Sequence, residues 1–461
     1  MVIMILKGEK NMSYSRWATE EEMKNKLVPV NLETGVKKSG IPLMYDNNYL
    51  YINDNEIHSL IIGTTGSGKT QTTILPILKL AMMAEESVVI TDPKGEIYKK
   101  TSGELKKRDY NIITLNFDNS KYGNSFNPLA LPYKLYKEKE LNKAISLIEN
   151  LGYYLFYDPK EKSVDTFWNN SSIDYFTGIT LYLFENGKEE EINLNSIYNI
   201  ANEVEKKEKR KNFLDKLNKN SSIYYYVSCT LNSPTETSGG ILATFNQKIK
   251  KYLGRENLNN MLANSDFDIT NITKEKTVLF IIGGHSVYND NMTPLLVEQV
   301  IEAADIYGKK DKRLNMILDE FDSLLPIKEF EKVINYSRSI NIKFTVAIRT
   351  YLDLINTYGK ENAEIIKLCF GNIIYLLSND IYTLEEISKY CGNEYKFNAV
   401  IPLITVEELR TLKVFEAIII TQRLMPFKTK LLPDYQIDWN FTKEEIEIPE
   451  RIKNTFEIYE I

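Results

Sequence analysis

A phosphate-binding loop is the feature that most constrains how this 461-residue chain can fold. Residues 60–70 read LIIGTTGSGKT, in which an apolar run precedes a full match to G-x-x-x-x-G-K-[ST] from Gly63 to Thr70. The apolar run is typical of a buried strand, and the next residues, QTTILPILKLAMM, predict a helix that Pro76 kinks but does not end. This order predicts an α/β domain that binds a nucleotide through its phosphates.

The residue types of the loop suit a triphosphate. Glycines allow the backbone N–H groups of residues 65–70 to crowd around phosphate oxygens. The Lys69 ammonium can reach the β- and γ-phosphates, and the Thr70 hydroxyl can be a ligand of Mg²⁺. The predicted nucleotide-binding residues are those of the whole loop: Gly63, Thr64, Thr65, Gly66, Ser67, Gly68, Lys69 and Thr70.

Two adjacent carboxylates supply the second half of the predicted site. The sequence RLNMILDEFDSL contains an apolar run that ends in Asp319 and Glu320. We expect Asp319 to bind Mg²⁺ at the end of a strand and Glu320 to polarise the attacking water. This pairing is typical of ATP-driven motors, and the sequence lacks the guanine-reading N-K-x-D. The predicted reaction is ATP hydrolysis, with ATP and Mg²⁺ as cofactors. The segment VVITDPKGEIY would place Asp92 beside the nucleotide.

Strand patterns recur along the chain, with helical patterns between several of them. They lie at residues 59–62, 87–91, 111–116, 277–282, 315–318, 343–348, 373–377 and 416–420. A mainly parallel sheet with helices on both faces accounts for this alternation. Residues 133–233 interrupt it with apolar residues at helical spacing, so we expect an all-α insertion there.

The charge of the chain does not exclude a nucleic acid as partner. There are 57 Lys and Arg against 63 Asp and Glu, and residues 434–461 hold 8 acidic and 3 basic residues. The rest of the chain, with 55 acidic and 54 basic residues, is nearly neutral. We interpret the basic run KKEKRK, residues 206–211, as a solvated helix face, with a DNA contact as the alternative. Tyr224 and its neighbours are interpreted as packing residues, with base stacking as the alternative.

Neither a secretory nor a membrane-spanning segment is predicted. The three cysteines, Cys229, Cys369 and Cys391, lack the spacing of a zinc site and are typical of a reducing compartment. No run approaches the roughly 20 apolar residues that cross a bilayer. We therefore expect a cytoplasmic protein.

Several motifs in a fixed order carry a family resemblance. They are HSLIIGTTGSGKT, ITDPKGEIYKKT, NSFNPL, DTFW, LDEFDSL, INTYG and LEEISKYCG, and the lead-in SRWATEEEM fits the same series. Together they resemble the TraG-type coupling proteins of type IV secretion systems, which are conjugative DNA-transfer ATPases related to the FtsK and HerA motors. The resemblance runs from about Ser15 to Pro433.

The resemblance implies a RecA-like P-loop NTPase domain with a mainly parallel sheet and an inserted all-α domain. The expected divisions are a lead-in at 1–50, the nucleotide-binding domain at 51–132 and 234–433, the all-α insertion at 133–233 and an acidic tail at 434–461. The implied partners are single-stranded DNA and its relaxase. A homo-hexamer around a DNA channel is expected, with a monomer as the alternative when DNA and ATP are absent.

Two arginines take roles that the resemblance implies. Arg338 in YSRSIN matches a family arginine that acts across the subunit interface. Arg349 stands where family members carry a glutamine that senses the γ-phosphate, and the sensing role falls either to Arg349 or to Thr350.

The resemblance also concerns the membrane. Family members begin with two transmembrane helices, and this sequence shows none. We expect the chain to lie at the inner face of the cell membrane, held there by a separate membrane-anchoring subunit or by the secretion channel.

Two other functions share the same P-loop. One is a non-translocating substrate receptor, in which the ATPase gates protein secretion. The other is an FtsK- or HerA-like pump for double-stranded DNA.

Overall fold

The computed structural model describes residues 14–46, 49–157, 166–284, 287–308, 313–452 and 455–461. Contacts divide the chain into two compact units. The first runs to Ala84 and resumes with Lys343–Asn440, and the second comprises Glu85–Ile342 and Phe441–Ile461. The domain boundaries expected from the sequence, at residues 50, 132, 233 and 433, stay predictions.

The strands of both units follow in chain order. They are β1 (Val28–Val30), β2 (Ile41–Asp46), β3 (Tyr49–Asn53), β4 (His58–Gly63), β5 (Ser87–Asp92), β6 (Asn111–Asn116), β7 (Thr277–Ile282), β8 (Leu314–Leu318), β9 (Ile342–Ile348), β10 (Phe370–Leu377), β11 (Asn393–Lys396), β12 (Ala399–Pro402), β13 (Glu416–Thr421) and β14 (Phe427–Lys430). Each of the eight predicted strand positions holds a strand.

The helices are distributed over both units. They are α1 (Glu20–Lys26), α2 (Leu75–Met83), α3 (Glu96–Lys107), α4 (Ala130–Lys137), α5 (Leu141–Phe156), α6 (Thr166–Asn186), α7 (Leu194–Glu205), α8 (Lys207–Lys216), α9 (Ser222–Leu231), α10 (Thr235–Leu253), α11 (Glu256–Ala263), α12 (Val287–Tyr307), α13 (Phe330–Ser337), α14 (Tyr351–Tyr358), α15 (Lys360–Cys369), α16 (Ile381–Cys391) and α17 (Val406–Arg410).

A sheet in the order β14-β13-β10-β4-β9 is the centre of the first unit. The strands β10, β4 and β9 are parallel to one another. At the edge of this sheet, β13 pairs antiparallel with β10, and β14 pairs antiparallel with β13. Every residue of β4 is buried, which explains why a parallel strand reads as a continuous apolar run. The predicted mainly parallel sheet is confirmed.

The lead-in of the first unit contains more strand than the sequence predicted. The lead-in contains the helix α1, where the Thr19 side chain accepts a bond from the Glu22 N–H in a capping box. The three strands that follow it form a small antiparallel sheet in the order β1-β3-β2. The first 13 residues of the predicted lead-in lie outside the described residues.

Buried amides tie the small sheet to the strand that carries the P-loop. The Asn53 amide donates to Asn372 Oδ1 at 3.0 Å, and the Asn372 amide donates to Ser59 Oγ on β4 at 3.1 Å. Thr421 on β13 donates to the same Asn372 oxygen at 2.6 Å. Because buried polar groups are costly unless they are paired, this network holds the strands in one register.

The second unit contains a wholly parallel sheet in the order β8-β5-β7-β6. The elements that the structure describes from α4 to α11 are all helical, with one short 3-10 helix at Glu189–Glu191, and they extend past the predicted end of the insertion at residue 233. Its core contains the predicted apolar positions, including Leu151, Phe176 and Ile179. Most of the described charges of the basic run are paired: Lys206 and Lys209 bond to Glu203, and Arg210 bonds to Glu205.

The described residues of the second unit's C-terminal segment include several that bond to the rest of the unit, although the acidic side chains of the segment face solvent. The Arg451 guanidinium is buried and donates to the carbonyls of Ser120 and Tyr122 and to the Ser125 hydroxyl, each at 3.0 Å. The Asn199 amide donates to the Tyr459 carbonyl at 2.8 Å. We call the described residues of this segment, 441–452 and 455–461, the strap.

Across the residues that the structure describes, no helix combines the length and the apolar character that crossing a bilayer requires.

Candidate nucleotide-binding site

The P-loop joins β4 to the helix that follows, as the sequence predicted. Gly66 and Gly68 have φ angles of +81° and +96°, which L side chains rarely adopt. The Ser67 N–H donates to the Thr64 carbonyl at 3.1 Å and closes the turn. The helix begins as a π-helical turn, Thr70–Ile74, and runs on through Pro76, so the prediction that this proline does not end the helix is confirmed.

The donor set of the loop fits a triphosphate. A Cβ on Gly63 would lie 2.3 Å from Ser67 Oγ, so a side chain at this point of the loop would displace the serine hydroxyl. Ser67 Oγ and Gln71 Oε1 are buried and have no hydrogen-bond partner among the described residues. The Lys69 ammonium donates to the Gly63 carbonyl and, at 3.4 Å, to the Thr64 carbonyl. A cation, glycine backbone and an unpaired hydroxyl are the groups that bind phosphate oxygens.

Arg349 lies at the same edge of the first unit's sheet as the P-loop. Ile348 at the end of β9 pairs with Ile62 of β4, so Arg349 follows one strand where Gly63 ends the other. The Arg349 side chain is about half exposed, and its Nε lies 3.6 Å from Asp353.

Thr350 has a different use in the structure. Its hydroxyl caps α14 by accepting from the Asp353 N–H at 3.0 Å and donates to the Asp353 carboxylate at 2.8 Å. Because both hydrogen-bonding functions of this hydroxyl are engaged, the geometry favours Arg349 for the sensing role.

The two predicted carboxylates end β8 in the second unit. Asp319 is buried, its backbone carbonyl accepts from the Thr91 hydroxyl at 2.9 Å, and its Oδ1 accepts from the Glu320 N–H at 3.0 Å. Glu320 has a φ of +53°, a left-handed conformation that is uncommon for a residue other than glycine.

Asp92 at the end of β5 is a buried acid in the same unit. Its Oδ2 accepts from the Tyr98 N–H at 2.8 Å, so the carboxylate orders the start of α3. Burial raises the pKa of Asp92, and the nearby charge of Asp319 acts in the same direction. Lys94 and Glu96, which follow it in the turn, are exposed.

The structure divides the predicted site residues between its units. The P-loop and Arg349 lie in the first unit, and Asp92, Asp319 and Glu320 lie in the second, together with an exposed Arg338 at the end of α13. The role of each residue stays a prediction. Of the family motifs, DTFW begins at Asp165, which lies outside the described residues.

A sequence profile of the family described as type IV secretory system conjugative DNA transfer matches residues 9–399. The chain belongs to this family. The resemblance of the ordered motifs to TraG-type coupling proteins is thereby confirmed. The conjugal transfer protein TraG of Escherichia coli is 24% identical over 377 residues, which cover 75% of this chain and 57% of TraG. The chain thus spans little more than half the length of that relative.

Several solved structures share the fold of this chain. The unbound coupling protein TrwBdeltaN70 aligns with a TM-score of 0.68 at 13% identity, over 95% of this chain and 96% of that one. TrwB in complex with ADP and Mg²⁺ aligns with a TM-score of 0.66 at 13% identity, over 96% of each chain. VirB4 of Thermoanaerobacter pseudethanolicus aligns with a TM-score of 0.53 at 14% identity, over 86% of this chain and 98% of that one. The predicted fold class, a RecA-like domain with a helical domain, is confirmed.

Phe415 is a neighbour of the P-loop that the sequence did not predict. Its ring carbons lie 3.0 and 3.1 Å from the position that a Cβ on Gly68 would occupy. The two residues are far apart in the chain, and nothing in the sequence around Phe415 marks it as part of the loop's surroundings.

Proposed function

We propose that this chain is an ATP-hydrolysing coupling protein that recruits relaxase-bound single-stranded DNA and drives its transfer through a type IV secretion channel. The observation that carries the proposal is an intact phosphate-binding loop in a chain whose residues 9–399 match the conjugative DNA transfer family. TrwB, which shares the fold, has been solved with ADP and Mg²⁺ and with a non-hydrolysable ATP analogue. These complexes support ATP and Mg²⁺ as the ligands of this chain.

The proposed roles follow from the chemistry of the side chains. The P-loop backbone and the Lys69 ammonium bind the phosphates and offset their negative charge. When bound, Mg²⁺ shields the charge of the phosphate oxygens, and the Thr70 hydroxyl and the Asp319 carboxylate are its proposed ligands. Glu320 accepts a proton from the attacking water. Arg349 contacts the terminal phosphate.

A second proposal concerns assembly. Arg338 is exposed at the end of α13, where it can reach a neighbouring molecule. We propose that a homo-hexamer forms around the DNA and that Arg338 completes the active site of the next subunit, as arginine fingers do in other NTPases. The proposed site of action is the cytoplasmic face of the cell membrane, at the secretion channel.

ATP turnover with and without DNA tests the proposed function. A translocating motor hydrolyses ATP faster when single-stranded DNA is present, whereas a substrate receptor that only gates secretion turns over at the same rate. Greater stimulation by double-stranded DNA would instead indicate a duplex pump. Lys69→Ala should abolish ATP binding and all turnover, and Lys99→Ala, which changes an exposed lysine on α3, is the matched control. Turnover that survives Lys69→Ala would contradict the assignment of the P-loop.

A further inference from the structure

Phe415 of the first unit lies beside the P-loop and pairs with the ring of Tyr435, and the proposed roles use neither residue. We propose that Phe415 and Tyr435 bind the nucleobase of the nucleoside triphosphate by stacking. This inference rests on the proposed function, because it presupposes that the P-loop binds such a ligand. It extends that function by assigning residues to the base, because the P-loop residues are proposed to bind only the phosphates.

The position of Phe415 is fixed against the loop. Its ring occupies the space next to Gly68, where a Cβ would come within 3.0 Å of a ring carbon. Any side chain at position 68 would therefore displace the ring. The glycine thus serves two purposes, since its φ of +96° shapes the loop and its missing Cβ admits the ring.

The backbone of Phe415 has an uncommon conformation that hydrogen bonds hold in place. Its φ of +68° lies in the left-handed region, which is a genuine outlier for a bulky residue. The Leu431 N–H donates to the Phe415 carbonyl at 2.9 Å, and the Glu416 N–H donates to the Lys413 carbonyl at 2.9 Å. These two bonds hold the strained residue from both sides.

Tyr435 extends the aromatic surface into solvent. Its ring centroid lies 6.5 Å from that of Phe415 at an interplanar angle of 65°, a T-shaped pair, and the residue is 66% exposed. The Asp434 carboxylate next to it forms a buried ion pair at 2.8 Å with Lys79 on α2. Because α2 continues the helix that starts at the P-loop, Tyr435 is anchored to the same helix as Thr70. An exposed tyrosine held in this way is available to a ligand.

The chemistry of the pair suits a base bound by its face. Aromatic rings stack on nucleobases with little regard to their identity, since every base has a π-face. Phe415 has no polar side-chain atom, and Tyr435 has a single hydroxyl. We therefore expect adenine and guanine nucleotides to gain similar affinity from the pair.

Calorimetric titration of the full chain with Mg-ATP, Mg-GTP and inorganic tripolyphosphate tests the proposal. Tripolyphosphate reports on the loop alone, because it carries no base. Phe415→Ala should weaken ATP and GTP binding about 5- to 150-fold, the range expected for one lost stacking contact. Phe415→Ala should leave the binding of tripolyphosphate unchanged. Phe415→Tyr, which keeps an aromatic ring, should bind ATP as the wild type does. Phe397→Ala is the control, because Phe397 is an exposed phenylalanine of the same unit and also has a left-handed backbone, with a φ of +53°.

Two outcomes would overturn the proposal. Unchanged ATP binding in Phe415→Ala would mean that the ring does not touch the base. Equal weakening of ATP and tripolyphosphate would mean that the ring only supports the loop. Tyr435→Ala gives the same test at an exposed position where folding is not at risk, and unchanged ATP binding there would remove Tyr435 from the site. A wild-type chain that binds neither ATP nor tripolyphosphate would refute the proposed function itself, which is a distinguishable result.

Discussion

Ile348 of β9 pairs with Ile62 of β4 in parallel register, and this pairing sets Arg349 beside the P-loop. The next residue, Thr350, is engaged by Asp353 through both its donor and its acceptor. The sequence left the sensing role open between these neighbours, and the helix cap gives a physical reason to assign it to Arg349.

The first prediction separates these two residues. Arg349→Ala should lower the rate of ATP hydrolysis even in assembled protein, because a cation that contacts the terminal phosphate is lost. Thr350→Ala should instead cost about 1 kcal/mol of folding stability, the usual value of a helix cap, with turnover per folded molecule unchanged. Steady-state kinetics and chemical denaturation of both variants are the measurements. Slow turnover in Thr350→Ala with normal Arg349→Ala would reverse the assignment.

The second prediction concerns the general base. Glu320→Gln should still bind ATP but turn over at least ~100-fold more slowly, since general base catalysis contributes 10²–10⁴-fold. Glu329→Gln is a matched control, because Glu329 also has a left-handed backbone, with a φ of +51°, and is exposed. Near-normal hydrolysis by Glu320→Gln would move the base elsewhere, and Asp92 is the next candidate.

The third prediction concerns Arg338 and assembly. If this arginine acts on a neighbouring subunit, Arg338→Ala should slow turnover while ATP affinity stays near that of the wild type. Specific activity of the wild type should rise with protein concentration. Arg255→Ala, which changes an exposed arginine between α10 and α11, is the control. Activity that is independent of concentration, in a protein that stays monomeric by mass measurement with ATP and DNA, would refute the shared site.

The fourth prediction concerns the pH dependence of folding and rests on Glu298. This carboxylate accepts bonds from the Tyr154 hydroxyl, the Lys328 N–H and the Asn150 amide, yet burial outweighs these and raises its pKa from 4.5 to about 7. A raised pKa means that the folded state binds the proton more tightly than the unfolded state. The contribution of protonated Glu298 to the stability of the folded protein is therefore complete below about pH 4.5. This contribution is lost as the pH rises through 7.

The expected size of this effect is about 3 kcal/mol, from a pKa difference between 4.5 and about 7. Urea denaturation should show that the free energy of unfolding decreases between pH 5 and pH 8, as Glu298 loses its proton. Glu298→Gln should flatten the profile, and Glu185→Gln, at an exposed position on α6, should not. An unchanged profile in Glu298→Gln would show that other groups carry the pH dependence.

The fifth prediction concerns the strap and compares two helical glycines. A Cβ on Gly103 of α3 would lie 2.2 Å from the Glu444 carbonyl oxygen, whereas a Cβ on Gly239 of α10 would meet nothing within 4 Å. Gly103→Ala should therefore displace the strap and destabilise the protein by about 1–3 kcal/mol. Gly239→Ala should be neutral or stabilising by up to about 1 kcal/mol, because alanine favours helix. Thermal unfolding and limited proteolysis of the C-terminus measure both, and equal stability of the two variants would contradict the packing of the strap.

The sequence by itself determined the phosphate-binding loop, the positions of the predicted strands and the family. Strands such as β4 and β7 are buried throughout, so their apolar runs are visible without any structure. The loop is visible because its chemistry requires glycines, a lysine and a hydroxyl at fixed spacing within a few residues. These signals are local, and local signals survive in a linear sequence.

Only the tertiary structure decided which residues surround the loop. The order of the strands brings Arg349 to Gly63, the turn before β13 brings Phe415 to Gly68, and hydrogen bonds hold Arg451 and Tyr459 of the strap to the rest of the second unit. The strap illustrates the reason. Its acidic side chains face solvent, so its sequence predicts an acidic tail, whereas its backbone and Arg451 bond to the rest of the second unit. Such contacts join residues hundreds of positions apart and depend on shape and backbone pairing, which no short pattern of residue types specifies.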